Sequence, residues 1–301
     1  THYNNLRPRE YDGSFLRFPG MNPEISLRPH QRNAVARILF GGNTLVAHSV
    51  GAGKTMVMGA AAMEKKRLGL CNKTLIIVPN HLTEQMGSEL LSLYPNANIL
   101  VSTRHDFEKN RRKLFCSRIA TGNYDIVIMG HSQFSRIPLS SERQQKFLQD
   151  EIERYTQEIA SAKKEKSGQD LTIKQMEATK KRLQSHLEEL MDSPKDDVVT
   201  FEQLGVDSLM VDEAHEFKNL AVTTKMQNVA GISTSESQKA TDLLMKTQYL
   251  DEITGGRGLV FCTGTPISNS PVELYTMMRY LQASTLRAHD LLSFDAWAAN
   301  F

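Results

Sequence analysis

A chain of 301 residues, 40% of them hydrophobic, can bury one large α/β core or two smaller ones, which argues against disorder. Its net charge of +2 excludes neither a protein nor a nucleic-acid partner, because a polyanion is held by a local basic face and not by a basic average. Three cysteines, Cys71, Cys116 and Cys262, lie too far apart for the paired spacings of zinc sites or disulfide frameworks, so a reducing, cytoplasmic compartment is expected.

Residues 1–26 read as an N-terminal extension, and their opening "THYNNLRPRE" lacks the apolar stretch of a signal peptide. No run approaches the ~20 apolar residues of a membrane span, so no membrane partner is expected. From there the chain alternates short apolar, β-branched runs with longer helical patterns, which predicts a mainly parallel sheet flanked by helices over 27–301. The runs are 43–49 (NTLVAHS), 73–80 (KTLIIVPN), 97–103 (ANILVST), 124–131 (YDIVIMGH), 208–215 (SLMVDEAH) and 258–264 (GLVFCTG). Several end in polar or small residues. In open α/β sheets the ligand crevice lies at the carboxyl ends of the strands, so function is expected to collect there.

The first run leads into "HSVGAGKT" and then "MVMGAAAMEKKRLG", a strand, glycine turn and helix in the order a phosphate-binding loop requires. Ser49, Val50, Gly51, Ala52 and Gly53 would supply the loop, with the N–H groups from Gly51 to Thr55 around a β-phosphate. Lys54 would reach the β- and γ-phosphates and the Thr55 hydroxyl would bind Mg²⁺. His48 stands where the simple pattern has its first glycine. A glycine turn that merely caps a helix is the competing reading.

Residues 141–193 interrupt the alternation with Lys, Glu, Gln and Arg. Leu148, Ile152, Tyr155, Ile159 and Ala162 step by four and three, as do Ile173, Met176, Lys180, Leu183, Leu187 and Leu190 after "KSGQD". The spacing predicts an antiparallel, coiled-coil-like helical hairpin. It reads either as a solvated insertion packed on itself or as an arm that docks a protein or DNA partner.

The fifth run ends in "DEAHEFKN". Two adjacent carboxylates at the end of a buried strand are costly unless they serve a cation or a proton transfer. Asp212 would hold Mg²⁺ through a water, and Glu213 would orient and deprotonate an attacking water. An ordinary helix start with acidic residues in its first turn is the alternative. The sixth run ends in Thr263, Gly264, Thr265 and Pro266, two hydroxyls and an enforced bend at the same edge, which alone would be only a turn. The final "FDAWAANF" repeats Phe294, Trp297 and Phe301 at helical spacing with no stop signal, as in a segment of something longer.

Taken in order, "LRPHQRNAVARIL", "HSVGAGKT", "TLIIVPNHLTEQM", "YDIVIMGHSQF", "LMVDEAHEFKN" and "FCTGTPISNSPVELYTMMRYL" resemble the front-half motifs of superfamily-two helicases. The match is closest to the SWI/SNF-type translocases of double-stranded DNA, whereas DEAH-type RNA helicases carry serine-alanine-threonine where this chain has "TGTP". The resemblance covers most of 27–281 apart from the insertion. It implies a RecA-like P-loop NTPase lobe that uses ATP and Mg²⁺. Gln31 would read the adenine edge and Arg28 would support that loop. His215 with Thr263 or Thr265 would couple the nucleotide site to nucleic acid, beside Gly264, Pro266 and Asn269. Pro79, Asn80, His131 and Ser132 would lie on loops facing the sugar-phosphate backbone. At the position of His48 the family often has an acidic or small residue, and a filler beside the loop is the role expected.

Such motors hydrolyse ATP between two RecA-like lobes, the second supplying arginine fingers whose loss costs about 10³- to 10⁵-fold in rate. Too few residues follow Tyr280 for another lobe, so this chain is expected to turn ATP over slowly without it. The opening helix, the "SVGAGKT" loop and the terminal "FDAWAANF" are also similar to the helicase portion of large phage and mobile-element polypeptides that join such a motor to an adenine-specific DNA methyltransferase. The activity implied is DNA-dependent ATP hydrolysis coupled to translocation on duplex, in restriction, modification or mobile-element DNA processing. A strand-separating helicase and an ATP-switched scaffold without turnover are the rival readings.

Overall fold

A computed structural model describes residues 9–108, 111–164, 170–192, 199–222, 224, 237–268 and 270–300. Asn269, Phe301, residue 193 and the hairpin connection 165–169 lie outside them. All six apolar runs hold a strand: β1 (Thr44–Val46), β2 (Thr74–Val78), β3 (Ile99–Val101), β4 (Ile126–Gly130), β5 (Ser208–Val211) and β6 (Leu259–Cys262). They form one sheet in the order β1-β6-β5-β2-β4-β3, every neighbouring pair parallel. The strands are shorter than the runs because the polar residues at each run's end leave the ladder and become the loops of the carboxyl edge.

Around the sheet lie α1 (Pro29–Gly41), α2 (Lys54–Arg67), α3 (Thr83–Leu93), α4 (Arg112–Thr121), α5 (His131–Phe134), α6 (Ser141–Lys164), α7 (Asp170–Asp192), α8 (Gln238–Thr254), α9 (Pro271–Leu281), α10 (Ala283–Ala288) and α11 (Phe294–Ala298). Helices on both faces explain why β2, β4, β5 and β6 are buried at every position and mostly apolar, not alternating. Successive side chains still point to opposite faces. Leu75, Ile77, Val127, Met129, Leu209, Val211, Leu259 and Phe261 therefore enter one core with α4, α8 and α9. Ile76, Val78, Ile126, Ile128, Met210, Val260 and Cys262 enter the other with α1, α2 and α3. The segment before α1 joins this second core through Leu16 and Leu27, and the Arg32 guanidinium donates to the carbonyls of Gly13, Ser14 and Leu16.

α6 and α7 pack antiparallel on Leu148, Tyr155, Ile159, Met176 and Leu183, with Lys163 Nζ 2.7 Å from Glu177 Oε1 near the far end. The pair also leans on the body, so it is more than a self-packed insertion. Arg143, at the start of α6, pairs with Glu252 at 2.8 Å near the end of α8 and lies 4.6 Å from the Tyr249 ring centroid. Tyr155, farther along, shares a small cavity with Leu220 and Thr241 at the start of α8. α6 thus runs beside α8 in the opposite direction, toward the carboxyl edge.

Candidate functional site at the carboxyl edge

Because β6 lies between β1 and β5, the loops after these three strands meet side by side. The loop after β1 turns through Gly51 (φ 81°) and Gly53 (φ 78°), conformations that side-chain-bearing residues resist, and α2 begins at Lys54. Lys54 Nζ donates to the carbonyls of His48 (3.2 Å) and Ser49 (3.4 Å). α1 clamps the loop from outside: Gln31 Nε2 donates to Ala52 O at 3.0 Å, and a His30 ring nitrogen lies 3.1 Å from the same oxygen. A Cβ on Gly53 would sit 2.3 Å from Gln31 Nε2. Gln31 Oε1 accepts from the backbone N–H of Arg28 at 2.8 Å. The Gln31 amide therefore grips the loop on one side and the start of α1 on the other. Reading an adenine edge would require it to exchange one of these partners. Arg28 enters through its backbone.

At the loop's tip Val50 is 84% exposed, and a Cβ on Gly264 would meet its Cγ2 at 3.1 Å, so the glycine of the β6 loop lets the two loops touch. His48 sits half-buried against His30, ring centroids 5.3 Å apart, with a buried Nδ1 that has no hydrogen-bond partner. Burial, then the neighbouring His30 and Lys54 charges, push its pKa down, so the ring is a neutral wedge beside the loop.

Asp212 follows β5 and is 8% exposed. Burial, reinforced by the adjacent Glu213 charge, raises its carboxyl to about 6 against the opposing pull of Lys54. A carboxylate raised in this way would gain from a further cation beside it. Among the described residues no three His, Cys, Asp or Glu form a ready-made metal cage. Mg²⁺ does not require one, since it takes one or two protein oxygens and completes its shell with water and phosphate. The Thr55 hydroxyl and the Asp212 carboxylate fit that donor set.

Glu213 adopts a left-handed conformation, φ 49° and ψ 48°, which costs a side-chain-bearing residue about 1–2 kcal/mol. Strain of this kind persists where surrounding contacts over-determine it. His215 Nδ1 lies 3.1 Å from Glu213 Oε2 and 3.1 Å from Thr263 Oγ1, and Thr265 N–H donates to the same hydroxyl at 3.1 Å. These bonds join the β5 loop to the β6 loop. Thr263 is buried, while Thr265 is exposed and Gly264 and Pro266 are half-buried beside it.

The loops after β2 and β4 divide the remaining expected residues in two. Asn80 and Ser132 are exposed, and the Asn80 side-chain oxygen accepts from Ser132 N–H at 3.1 Å and Ser132 Oγ at 3.0 Å. Pro79 is buried at the turn into the next helix. His131, expected on a loop facing the sugar-phosphate backbone, is 2% exposed, its Nε2 3.0 Å from the Asp212 carbonyl oxygen and its Nδ1 3.1 Å from Glu216 Oε2, so its ring is turned into the protein. The ring also packs edge-on against Phe217, centroids 4.9 Å apart. Burial lowers its pKa while the Glu216 hydrogen bond works the other way.

Three participants carry no signal of their own in the sequence. Lys239 Nζ on α8 donates to Glu216 Oε2 at 2.7 Å, and Lys218 Nζ donates to Glu273 Oε1 at 2.9 Å. Glu273 in turn accepts from the backbone N–H of Ser268 at 2.6 Å, bracing the loop after β6. Lys239 lies 23 residues from Glu216 and Lys218 lies 55 from Glu273, so neither periodicity nor motif spacing could join them.

The family described as a probable helicase domain matches residues 38–301. A curated relative, the "Defense against restriction protein B" of Escherichia phage P1, is 23% identical over 319 residues, which is 93% of this chain and 14% of the relative. Among solved structures, the Sulfolobus solfataricus SWI2/SNF2 ATPase core in complex with dsDNA is 15% identical with a TM-score of 0.51, over 92% of this chain and 40% of that one. At that identity the likeness is one of fold, a RecA-like arrangement with helices on both faces of a parallel sheet.

Proposed function

Since this chain belongs to the probable helicase domain family, we propose that it is the ATP-binding lobe of a motor that couples ATP hydrolysis to translocation on double-stranded DNA. The observation that carries this reading is the meeting of three loops, which brings Lys54 near enough to the buried Asp212 to pull on its carboxyl, while His215, itself within 3.1 Å of Thr263 Oγ1, holds Glu213. Lys54 would exchange the His48 and Ser49 carbonyls for phosphate oxygens, at the N-terminus of α2 where backbone N–H groups already favour an anion. Thr55 and Asp212 would hold Mg²⁺, which supplies neutralisation of the phosphate charge. Glu213 would accept the proton of the attacking water, its carboxylate kept in place by His215.

Exposed Asn80, Ser132 and Thr265 lie along the same edge and would meet the DNA backbone with neutral donors, which suits a chain of small net charge. Duplex DNA is favoured as the track because the SWI2/SNF2 core of like fold was solved with dsDNA. The name of the phage relative favours a setting in restriction or modification, hence a cytoplasmic one. Among the described residues no helix is long and apolar enough to cross a membrane. A second RecA-like lobe in the parent polypeptide would complete the site.

The test is Mg²⁺-dependent ATP hydrolysis by the native polypeptide containing this chain, with duplex DNA, single-stranded DNA, RNA or no polymer, and with Lys54→Ala as the blank. Stimulation chiefly by duplex, lost in the Lys54 variant, is the expected result. ATP binding without turnover on any polymer would overturn the motor reading in favour of a nucleotide-switched scaffold.

A further inference from the structure

The residue just before the left-handed turn at Glu213 presents two groups to different neighbours: the Asp212 carbonyl, and a carboxylate within range of the Lys54 charge. Asp212 N–H is fixed by the Ile77 carbonyl at 2.9 Å, as the last rung between β5 and β2. The Asp212 carbonyl has left the ladder and meets a side chain from a different loop. That side chain is His131, whose Nε2 lies 3.0 Å away; a carbonyl oxygen only accepts, so Nε2 carries the hydrogen. The other ring nitrogen, an acceptor when Nε2 carries the hydrogen, is met by Lys239 Nζ of α8 at 3.5 Å, which Glu216 Oε2 holds at 2.7 Å, and Phe217 backs the ring.

We propose that His131 is a positioning residue for metal binding: its Nε2–H, braced by Glu216 and Lys239, fixes the Asp212 backbone so that the carboxylate presents to Mg²⁺ beside the nucleotide. The inference rests on the reading of Asp212 as a Mg²⁺ ligand. It adds a loop that the nucleotide site does not otherwise use, since Ser132, the next residue, binds Asn80 at the exposed rim. One peptide thus carries both a surface contact and the buried support of the metal ligand. Such outer partners of metal ligands act on metal affinity more than on the binding of the remaining groups.

The experiment measures Mn²⁺ binding by electron paramagnetic resonance at saturating ADP, together with ADP affinity in the absence of divalent metal, for this chain and three variants. His131→Gln keeps an amide N–H near the Nε2 position. His131→Asn keeps one near Nδ1 that can meet Glu216 but not Asp212. His131→Leu keeps neither. Expected is a loss of about tenfold in Mn²⁺ affinity for the Asn and Leu variants, Mn²⁺ binding close to that of the parent for Gln, and metal-free ADP affinity unchanged in all. Unchanged Mn²⁺ binding in the Asn variant, or equal losses in the Gln and Asn variants, would overturn the inference while leaving the nucleotide site standing. A parent chain that binds no ADP would overturn the nucleotide-site reading and this inference with it. Comparing the Gln and Asn variants keeps the test decisive if the leucine variant fails to fold.

Discussion

Asp212 and Arg154 are both charged side chains drawn partly out of water, one at the carboxyl edge and one on α6, and the protein treats them in opposite ways. Burial works against the charged form of Arg154, yet Glu151 at 2.6 Å and Glu158 at 2.8 Å more than offset it, and its pKa rises. Asp212 is given a like charge next door, and the Glu213 backbone N–H and Lys54 offset its burial only in part. Arg154 finds its partners on its own helix; Asp212 carries its burial without an equal one. The same contrast holds for the cleft of about 670 Å³ between α6 and the α8–α10 side of the body, where five basic and five acidic side chains line the walls and leave no net field for a polyanion. What sets the edge apart is a carboxyl raised by burial beside strained backbone, and what sets the hairpin root apart is charge already balanced.

The largest test of that contrast is Glu213→Gln in the native polypeptide. The substitution keeps the shape and the left-handed turn but removes the base, so turnover should fall about 10³-fold, or about 4 kcal/mol in the barrier, with ATP binding retained. Turnover left intact would remove Glu213 from the chemistry and reduce its strained backbone to a feature of the turn.

Next in size is Asp212→Asn. The folded protein raises this carboxyl to about 6 from an ordinary value near 3.9, so between these values the folded state binds more protons than the unfolded one. Stability therefore falls as pH rises through this window, and the destabilisation is fully present above it. Two pKa units correspond to about 3 kcal/mol as an upper figure. Thermal melting at pH 7.5 should show Asp212→Asn to be more stable than the parent by about 1–3 kcal/mol, with the gap closing below pH 4. A destabilised variant would mean that the carboxylate is already compensated, as Arg154 is, and the contrast between the regions would collapse.

The sequence carried the two-faced core and the three loops, and it did so for physical reasons. A strand buried on both faces has no polar face to alternate with, so Leu75 to Val78 and Ile126 to Met129 are visible as runs. A phosphate loop needs Gly51, Gly53, Lys54 and Thr55 as neighbours in the chain. The supports were illegible because they are made in space. Nothing local distinguishes a buried His131 from an exposed one, and its partners Asp212, Glu216 and Lys239 lie 81, 85 and 108 residues away. Gln31 was legible as a participant through the family motif, but its grip on the Ala52 carbonyl depends on how α1 meets the loop. The hairpin's spacing was readable and its docking was not, since Arg143 finds Glu252 across 109 residues.

A smaller effect is expected at Gly53→Ala. The φ of 78° costs alanine about 1–2 kcal/mol, and the new Cβ must displace the Gln31 amide, releasing the Ala52 carbonyl it holds. ADP binding by fluorescence titration should weaken roughly tenfold, corresponding to about 1.4 kcal/mol. A weakening of ADP binding larger than the loss of stability would locate the effect in the loop's shape. Equal losses would make the glycine a matter of folding alone.

The smallest effect belongs to the hairpin root, at Arg143→Ala. Its pairing with Glu252 is partly solvent-exposed, so the ion pair contributes about 0.2–1 kcal/mol, and the stack on Tyr249 adds about 0.5–1 kcal/mol. Melting should drop by a few degrees at most at low salt, and the ion-pair part of the difference should shrink as added salt screens it. DNA-stimulated turnover should not change, because among the described residues the partners of Arg143 are Glu202, Glu252 and the Tyr249 ring, away from the strand-end loops. Turnover that fell with Arg143→Ala while stability held would require α6, running beside α8 toward Lys239, to carry strain from the hairpin to Glu216 and His131. The balanced region would then be part of the site's machinery and not its scaffold.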